Sequence, residues 1–470
     1  MEAPIGWIAF LFSILCLASQ AEFACQINAQ QTIGALPRNP TELQTPIFLD
    51  ETVRGLTLAN YMNGGPHIIE TLINYQMIEQ TRHPDASVST WILLGTILRL
   101  ALRMGYHRDP SHFPCFTPFQ AEMRRRMFFV LHAMDIMLSL QLGLPRLMKD
   151  GHWDTQPPHN LLDTDFSSET TLLPDSRPET DITLITHVLA KHKILVVVGV
   201  IADTIMSVAR SRLDPSALAT DKRLEQRLRD AYCSISDDVK LESLNTLQGC
   251  PPTEVLHRFS LTVLLQKGLI ILYWRYVMSN ISGSGTVRPS AGRTRNEIEE
   301  YLSSGYRSCV RAAFKILELQ SYVDKETRLG GALFPARLQI SSIVSHEFLM
   351  ATIVVVTHMY RLVTPDQSAQ VENMQYASVA HRQETEAALE TSRVIWRRQC
   401  TGSKDAARIT GILDTLFKML RGPETAPGQA EPSPNAEHPT LFRDEDVNIL
   451  EGFGLLYYLQ DDRFAFGDIF

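Results

Sequence analysis

Apolar residues recur at helical spacing through most of this chain, and the alternation that predicts β-strands is nearly absent. The clearest case is 88–104, where Trp91, Leu94 and Leu98 fall on one helical face. Gly105 follows at the position where a helix commonly ends in a left-handed residue. The pattern therefore predicts a helix over 88–104, packed by its apolar stripe.

A second strong signal begins at Thr117, Pro118 and Gln120, which have the spacing of a capping box. A threonine hydroxyl at the N-cap and a glutamine three residues later can each satisfy a backbone N–H at the helix start. A long helix is predicted from here to just before Gly143. Its predicted buried stripe is Phe119, Met123, Met127, Leu131, Met134 and Leu138.

Apolar spacing and charged flanks predict further helices over 182–209, 222–247, 255–279, 296–320, 336–363, 372–398 and 405–420. Composition shifts at 149–180, 280–295 and 421–440, which are rich in proline, glycine or polar residues and predict loops or flexible linkers. The expected fold is all-α, a large irregular multi-helix bundle.

The first apolar run, Trp7–Ser19, has two interpretations. It has the length of a signal-peptide core, but Glu2 precedes it and no lysine or arginine does. As a helix it would rise only ~20 Å, less than the ~30 Å needed to span a bilayer. A buried first helix is favoured. Charged residues such as Lys191 and Lys267 interrupt the later apolar stretches, so no further membrane span is expected.

The charge and the cysteine content of the chain exclude several classes of protein. The chain has 44 basic and 52 acidic residues and a formal net charge of −8, so it lacks the positive field that phosphate backbones require. Its seven cysteines lie at 16, 25, 115, 233, 250, 309 and 400, with no closely spaced pair. This scatter disfavours both a zinc site and a disulfide framework, and it is typical of reduced intracellular thiols.

Two sequence motifs of helical enzymes occur only in part. His346 and Glu347 begin a zinc-protease pattern, but Met350 stands where its second histidine belongs. Asp237 and Asp238 begin a diphosphate-binding pattern, but Leu241 replaces its last carboxylate. No catalytic residue and no metal site is therefore predicted, and the chain is not expected to be an enzyme.

The stretch from Leu94 to Ser111 reads LGTILRLALRMGYHRDPS and resembles a signature of the fungal-specific transcription factor domain. The resemblance continues through PFQAEMRRR at 118–126, SLQLGLP at 139–145 and the segment from Asp154 to Phe166. It covers about 1–420 and is tightest over 91–166. Trp7–Leu17 is similar to an early helix of the family, which further favours a helix over a signal peptide.

The resemblance implies an all-α regulatory region that, in the family, follows a Zn2Cys6 cluster and serves regulators of metabolic and biosynthetic genes. This chain shows no such cluster, so no zinc cofactor and no DNA-binding residue is assigned to it. DNA would be reached indirectly or through a missing N-terminal module, in the nucleus. The resemblance further implies that the chain can form a homodimer or a heterodimer and bind a small-molecule effector. No membrane partner is expected.

Five residues within the signature are expected to have structural roles. A guanidinium just beyond a helix end can meet terminal carbonyls or a facing carboxylate, and a carboxylate on the long helix can pair with such a base. Alanine at Arg108 or Asp135 should accordingly lower solubility or melting temperature. The five residues are Arg108, Asp109, Glu122, Arg125 and Asp135.

The last thirty residues, 441–470, interleave seven acidic residues with seven Phe or Tyr and have a net charge of −5. This resembles an activation segment that binds a coactivator, and a last helix docked on the core is the equal alternative. The alternative for the whole chain is an all-helical enzyme acting on an apolar substrate. Such an enzyme would gather reactive or metal-binding groups in one pocket.

Overall fold

The computed structural model describes residues 4–30, 40–82, 85–207, 215–247, 249–279, 295–339, 342–363 and 379–421. Within these residues there are twelve α-helices and no β-strand, which confirms the predicted all-α class. The helices are α1 Ile5–Gln30, α2 Pro40–Leu58, α3 Ile68–Arg82, α4 Val88–Arg103, α5 Pro118–Leu142, α6 Leu184–Ile205, α7 Pro215–Cys233, α8 Pro252–Ser279, α9 Arg295–Glu326, α10 Ser342–Val363, α11 Val379–Gln399 and α12 Lys404–Arg421.

The chain divides into two compact units. The first unit comprises Met1–Ser139, Arg146–Leu195 and Pro335–Ile343, and it contains the whole of α1 to α4. The second unit comprises Leu140–Pro145, Val196–Phe334 and Val344–Phe470. The predicted linkers 280–295 and 421–440 and the segment 441–470 lie almost wholly outside the described residues.

Helix α4 follows the sequence prediction closely. Leu94, Ile97 and Leu98 are buried in the core of the first unit, where they join the aromatic side chains of α5. Gly105 has a φ of +76°, a left-handed conformation that is unfavourable for residues with a Cβ atom, so it ends the helix as its position predicts.

The capping box at the start of α5 is also confirmed. The Thr117 hydroxyl accepts a hydrogen bond from the Gln120 N–H at 3.3 Å, and the Gln120 side-chain oxygen accepts one from the Thr117 N–H at 3.0 Å. Both bonds satisfy amide groups that have no partner within the helix.

Thr117→Ala is expected to lower the free energy of unfolding by about 1 kcal/mol, because it removes the N-cap acceptor while leaving the rest of α5 intact. Thermal unfolding of the purified chain measures this loss. Thr96→Ala is the control, since its hydroxyl bonds only to a carbonyl within its own helix. An equal effect from both variants would contradict the capping role.

The predicted buried stripe of α5 is only partly right. Leu131 and Leu138 are buried, but Met123 is 37% exposed. The buried face instead includes two carboxylates, Glu122 and Asp135. Hydrophobic spacing missed them because their partners are backbone amides of a distant loop, a contact that no local pattern indicates.

Two further boundaries differ from the prediction. The helix expected over 222–247 is α7, which starts at Pro215 and ends at Cys233, and the residues after it form turns and short 3-10 segments. Asp237 and Asp238 lie in one of these segments. Helices α2 and α3 were not predicted, and α2 contains Pro46, a residue that breaks the usual sequence signal of a helix.

Helix α1 forms as expected, but the expectation that it is buried was wrong. Only 22% of the window Ile5–Glu22 is buried, because its large apolar side chains face solvent. By length and composition alone this window could span a membrane, and so could Leu184–Ile205 and Pro252–Val277, which the sequence analysis had dismissed. Those two windows are 56% and 61% buried, and they supply core side chains to the fold.

The second unit is built around α8, α9 and α10. Ile270 and Tyr273 of α8 and Ile316 of α9 are buried, and a run of valines in α10 adds to the same interior. One ion pair, between Lys267 of α8 and Glu347 of α10, is buried there. The glutamate of the incomplete zinc-protease pattern is thus held by a lysine.

Candidate functional site in the signature segment

The signature segment, 91–166, contains three buried carboxylates that accept hydrogen bonds from backbone amides of the loop 144–166. We call Asp109, Glu122 and Asp135 the carboxylate anchors. Each is at most 2% exposed. Buried carboxylates are costly unless they are paired or hydrogen-bonded, so their environments determine what they can do.

The first anchor, Asp109, lies just beyond α4 and pairs with Arg125 of α5. Arg125 donates from Nε to Oδ2 at 2.9 Å and from Nη2 to Oδ1 at 2.8 Å, the bidentate geometry of a strong arginine–carboxylate pair. The backbone N–H groups of Gln156 and Ser111 donate to the same carboxylate at 2.8 and 3.0 Å.

Burial alone would raise the pKa of Asp109, but the hydrogen bonds from Arg125, Gln156 and Ser111 outweigh it and hold the pKa well below its usual range. The carboxylate is therefore charged at any physiological pH. It cannot act as a general acid or base near neutrality, because such a group needs a pKa near the working pH.

The second anchor, Glu122, fixes the next part of the loop. It accepts from the His159 N–H at 3.1 Å and contacts the His159 ring at 2.9 Å. Arg126 donates from Nε to Glu122 at 3.2 Å, from Nη1 to Asp163 at 2.7 Å and from Nη2 to the Leu161 carbonyl at 3.0 Å. One arginine thus ties a buried acid of α5 to two points of the loop.

The third anchor, Asp135, bonds to the chain just after α5. Its Oδ1 accepts from the Leu147 N–H at 3.1 Å and its Oδ2 from the Met148 N–H at 2.7 Å. Through these two bonds Asp135 holds a turn by its backbone amides, and the pairing of Asp135 with a basic side chain stays a prediction.

Arg108 lies at the surface. Its side chain is 53% exposed and pairs with Asp154 at 2.9 Å, so the facing carboxylate expected from the sequence is Asp154. Asp154 also accepts from the Asp109 N–H at 2.9 Å and contacts the His112 ring at 3.2 Å. Exposed ion pairs of this kind contribute little to stability, so the loss of stability expected from the sequence for alanine at Arg108 is revised to less than about 1 kcal/mol.

Two members of the arginine triplet 124–126, Arg125 and Arg126, form the ion pairs described above. Arg124 differs. It donates to the Met104 carbonyl at 2.6 Å and lies 4.0 Å above the Tyr106 ring. It therefore caps the end of α4 through a carbonyl and a cation–π contact.

The segment 149–180, expected to be a flexible linker, contains a second set of internal bonds. The Asn160 side chain donates to the Pro178 and Asp181 carbonyls at 3.0 Å, and its oxygen accepts from the hydroxyls of Thr183 and Thr186. This network and the bonds to Glu122 and Arg126 fix the loop to α5 and to the start of α6.

A ring cluster that the sequence analysis missed lies behind Asp135. His132 of α5 and His192 of α6 meet with Nδ1 and Nε2 3.1 Å apart, beside Trp153. The Arg146 guanidinium approaches the other His132 nitrogen at 3.4 Å; because arginine only donates, His132 carries its proton on Nδ1 and donates to His192. Contact between these histidines has no local sequence signal, since they are sixty residues apart.

Burial is the main cause that lowers the pKa of both histidines, to about 3 for His132 and about 4 for His192. Their unfolded-state pKa is ~6.5, so between pH 6.5 and 4 the unfolded chain binds protons that the folded chain does not. Stability should therefore fall as the pH is lowered through this window. We expect His192→Gln to reduce the loss by on the order of 2 kcal/mol at pH 4.

Denaturant unfolding of wild type and His192→Gln across pH 4–7.5 measures this difference. His112→Gln is the control, because its ring is half exposed. Identical pH dependence in wild type and His192→Gln would show that the buried histidine pair does not determine the acid sensitivity.

The chemistry of the signature segment is thus structural. Its buried acids accept hydrogen bonds from amides or guanidinium groups, and the lowered pKa of Asp109 keeps that carboxylate charged. Among the residues that the structure describes, no group of three or more His, Cys, Asp or Glu side chains is arranged to hold a metal ion.

A binuclear zinc cluster, which the family resemblance implies, does not fit the cysteines of the described residues. Such a cluster needs six thiolates in one place. Cys16 is buried on α1, Cys115 is exposed before α5, and Cys309 is buried on α9, where burial raises the pKa of its thiol. These thiols belong to separate elements, so no step of the chemistry is assigned to zinc.

Comparison with known proteins agrees with the signature. Residues 10–231 match the family model described as the fungal specific transcription factor domain. This match includes all three carboxylate anchors and the ring cluster. No solved structure matches the chain.

The relatives are named transcription factors. The chain is 35% identical over 412 residues to the transcription factor phm2 of Pyrenochaetopsis sp, a match that covers 88% of this chain and 52% of phm2. It is 34% identical over 418 residues to the pyrrolocin cluster transcription factor fsdR of Fungal sp. (strain NRRL 50135), covering 87% of this chain and 51% of fsdR.

A third relative, the Zn(2)-C6 fungal-type transcription factor pigI of Monascus ruber, is 33% identical over 417 residues, covering 88% of this chain and 47% of pigI. The chain thus spans about half the length of the curated relatives it matches. These matches extend well beyond the family model, into the second unit. The family model thus assigns a fungal specific transcription factor domain to residues 10–231, and most of the chain is similar to named transcription factors.

Proposed function

We propose that this chain is the regulatory region of a transcriptional regulator that controls a biosynthetic gene cluster. The observation that carries the proposal is the extent of the similarity. Relatives named as transcription factors, one of them for the pyrrolocin cluster, match 87–88% of this chain at about one-third identity. A match of this length includes both units and not the signature segment alone.

The geometry of the signature segment supports a regulatory scaffold. Arg125 and Arg126, the most concentrated positive charge of the signature, are committed to Asp109, Glu122 and Asp163. With a net charge of −8 for the chain, little positive potential remains to attract a phosphate backbone. DNA contact is therefore assigned to a separate module or to a partner protein, with the nucleus as the site of action.

The test is a reporter assay with the whole chain fused to an unrelated sequence-specific DNA-binding domain. We expect the fusion to change reporter output several-fold, up or down, relative to the DNA-binding domain alone. The Arg108→Ala fusion should behave like wild type, because that ion pair is exposed. Unchanged output from a fusion that accumulates, folded, in the nucleus would contradict the regulatory function.

Direct DNA binding is tested separately. The purified chain without any fusion should show only weak binding to duplex DNA, with no preference among promoter sequences, at physiological salt. Tight, sequence-specific retention of one duplex by the chain alone would contradict the assignment of DNA contact to another module.

The acidic and aromatic segment 441–470 is proposed as the coactivator-binding part of this regulator. Its seven aromatic residues among seven acids have the composition of segments that fold onto hydrophobic grooves. Deleting 441–470 from the reporter fusion should remove most of any activation. Full activation by the truncated fusion would show that activation comes from the helical units, and it would contradict the proposed role of 441–470.

A further inference from the structure

Helix α1 packs with its small and polar residues inward, which is the reverse of a usual surface helix. Ala9, Ser13 and Cys16 are fully buried. Ala9 lies so close to Gly55 of α2 that a Cβ added at Gly55 would come within 2.8 Å of the Ala9 Cβ. Ser13 accepts a hydrogen bond from the Asn74 amide of α3 at 2.9 Å. This inward face fixes α1 against α2 and α3.

The outward face of α1 is consequently apolar. Trp7, Leu11, Ile14 and Ala18 are exposed and follow a 4-3-4 spacing, which is the spacing of the contact positions in a coiled coil. Ile8 and Leu15 are exposed beside them. The five large side chains of this set are between 37% and 43% exposed. We call these six residues the α1 seam, and its spacing indicates that its partner is another helix.

The size and charge of the α1 seam favour a second copy of the same helix. No charged residue occurs from 3 to 21, so self-pairing brings no like charges together. The seam exposes on the order of 500 Å² per copy, the size of the largest apolar patch on a typical monomer, and such patches are often binding sites. Two copies would bury on the order of 1,000 Å² in total, the lower limit for a specific interface. A weak, reversible dimer is therefore expected.

Side-chain size determines the orientation of the pair. In a parallel pair the two Trp7 rings would lie opposite each other. In an antiparallel pair about an axis between Leu11 and Ile14, each Trp7 lies opposite an Ala18, so a large side chain meets a small one. Antiparallel helix dipoles also attract. We propose that the α1 seam pairs antiparallel with the α1 seam of a second copy, whether or not the chain regulates transcription.

A lipid surface is the less favourable occupant. Helices that bind the membrane interface usually carry lysine or arginine on the face or flanks next to the lipid. Along the chain, the charges that flank this helix segment are Glu2 and Glu22, which anionic lipids would repel. Because α1 contains no lysine or arginine, it differs from the usual membrane-binding helix.

Sedimentation velocity of the full chain over a range of concentrations tests the association. We expect wild type to dimerise reversibly and Leu11→Glu to weaken the dimer at least tenfold. At dilutions where both proteins are monomeric their melting temperatures should be equal, because Leu11 is exposed. Ile92→Glu is the matched control: Ile92 is 59% exposed on α4, outside the α1 seam, and this variant should dimerise like wild type.

A wild-type chain that stays monomeric at the highest attainable concentration would overturn the proposal. Equal dimerisation by wild type and Leu11→Glu would do the same. Flotation of a monomeric wild-type chain with phosphatidylcholine vesicles, lost in Leu11→Glu, would identify a lipid surface as the occupant and also overturn it.

Cysteine cross-linking tests the orientation. In a background with the exposed Cys115 and Cys233 replaced by serine, Trp7→Cys and Ala18→Cys proteins are oxidised separately and as a mixture with copper phenanthroline. The mixture should give a disulfide-linked dimer. Each protein alone should not, because equivalent positions in an antiparallel pair lie ~16 Å apart and a disulfide needs Cα atoms within ~7 Å. Preferential cross-linking of each protein with itself would overturn the antiparallel pair.

Discussion

Replacing Asp109 with alanine is expected to destabilise the chain by about 4 kcal/mol, the largest effect of any single substitution in the signature segment. The substitution leaves the Arg125 guanidinium, only 12% exposed, without its bidentate partner. It also leaves the Gln156 and Ser111 amides without their acceptor. Removing one member of a buried ion pair costs far more than the pair itself contributes, because the remaining charge stays buried.

Urea unfolding of the full chain, followed by circular dichroism, measures the loss, and two variants make the result specific. Arg108→Ala breaks an exposed pair and should cost less than about 1 kcal/mol. Asp109→Ala combined with Arg125→Leu should recover part of the lost stability, because no unpaired buried charge remains. Equal losses from Asp109→Ala and Arg108→Ala would show that Asp109 does not anchor the loop.

The second large effect is expected from Asp135→Ala, at about 3 kcal/mol. This carboxylate is the acceptor for the Leu147 and Met148 amides, and a buried donor left without an acceptor loses its full solvation energy. Met148 also belongs to the hydrophobic core of the first unit, so loss of its anchor should loosen that packing.

Differential scanning calorimetry of the full chain measures this second effect. Asp163→Ala is the matched control, since Asp163 is 85% exposed although it too is bonded to an arginine of α5. The control should cost less than about 1 kcal/mol. A melting temperature unchanged by Asp135→Ala would contradict the structural role of that residue.

The features of the fold that have local signals are predictable from the sequence. Leu94 and Leu98 of the predicted stripe and the turn at Gly105 lie on one short stretch of chain, and so do the two members of the capping box. Such features depend on backbone geometry over one or two helical turns, so a single sequence is enough to predict them. The family resemblance adds the expectation that acids and bases of the signature have structural roles.

Features that depend on contacts between distant parts of the chain are not predictable in this way. The predicted buried stripe of α5 is wrong at Met123, because the neighbouring Glu122 is buried in its place. The hydrogen-bond partner of Glu122, the His159 amide, is 37 residues away in the sequence. The predicted burial of α1 was wrong for a related reason. Hydrophobicity alone places Trp7 and Leu11 in the core, whereas close approach of α1 to Gly55 of α2 requires small side chains there.

The central claim is that the three carboxylate anchors hold the loop 144–166 to the helices as one rigid structure. Hydrogen–deuterium exchange of the full chain tests it most directly at the backbone amides that donate to the anchors, those of Leu147, Met148, Gln156 and His159. We predict that these four amides exchange as slowly as the amides within α5. Exchange as fast as that of an exposed, unbonded loop would contradict the claim.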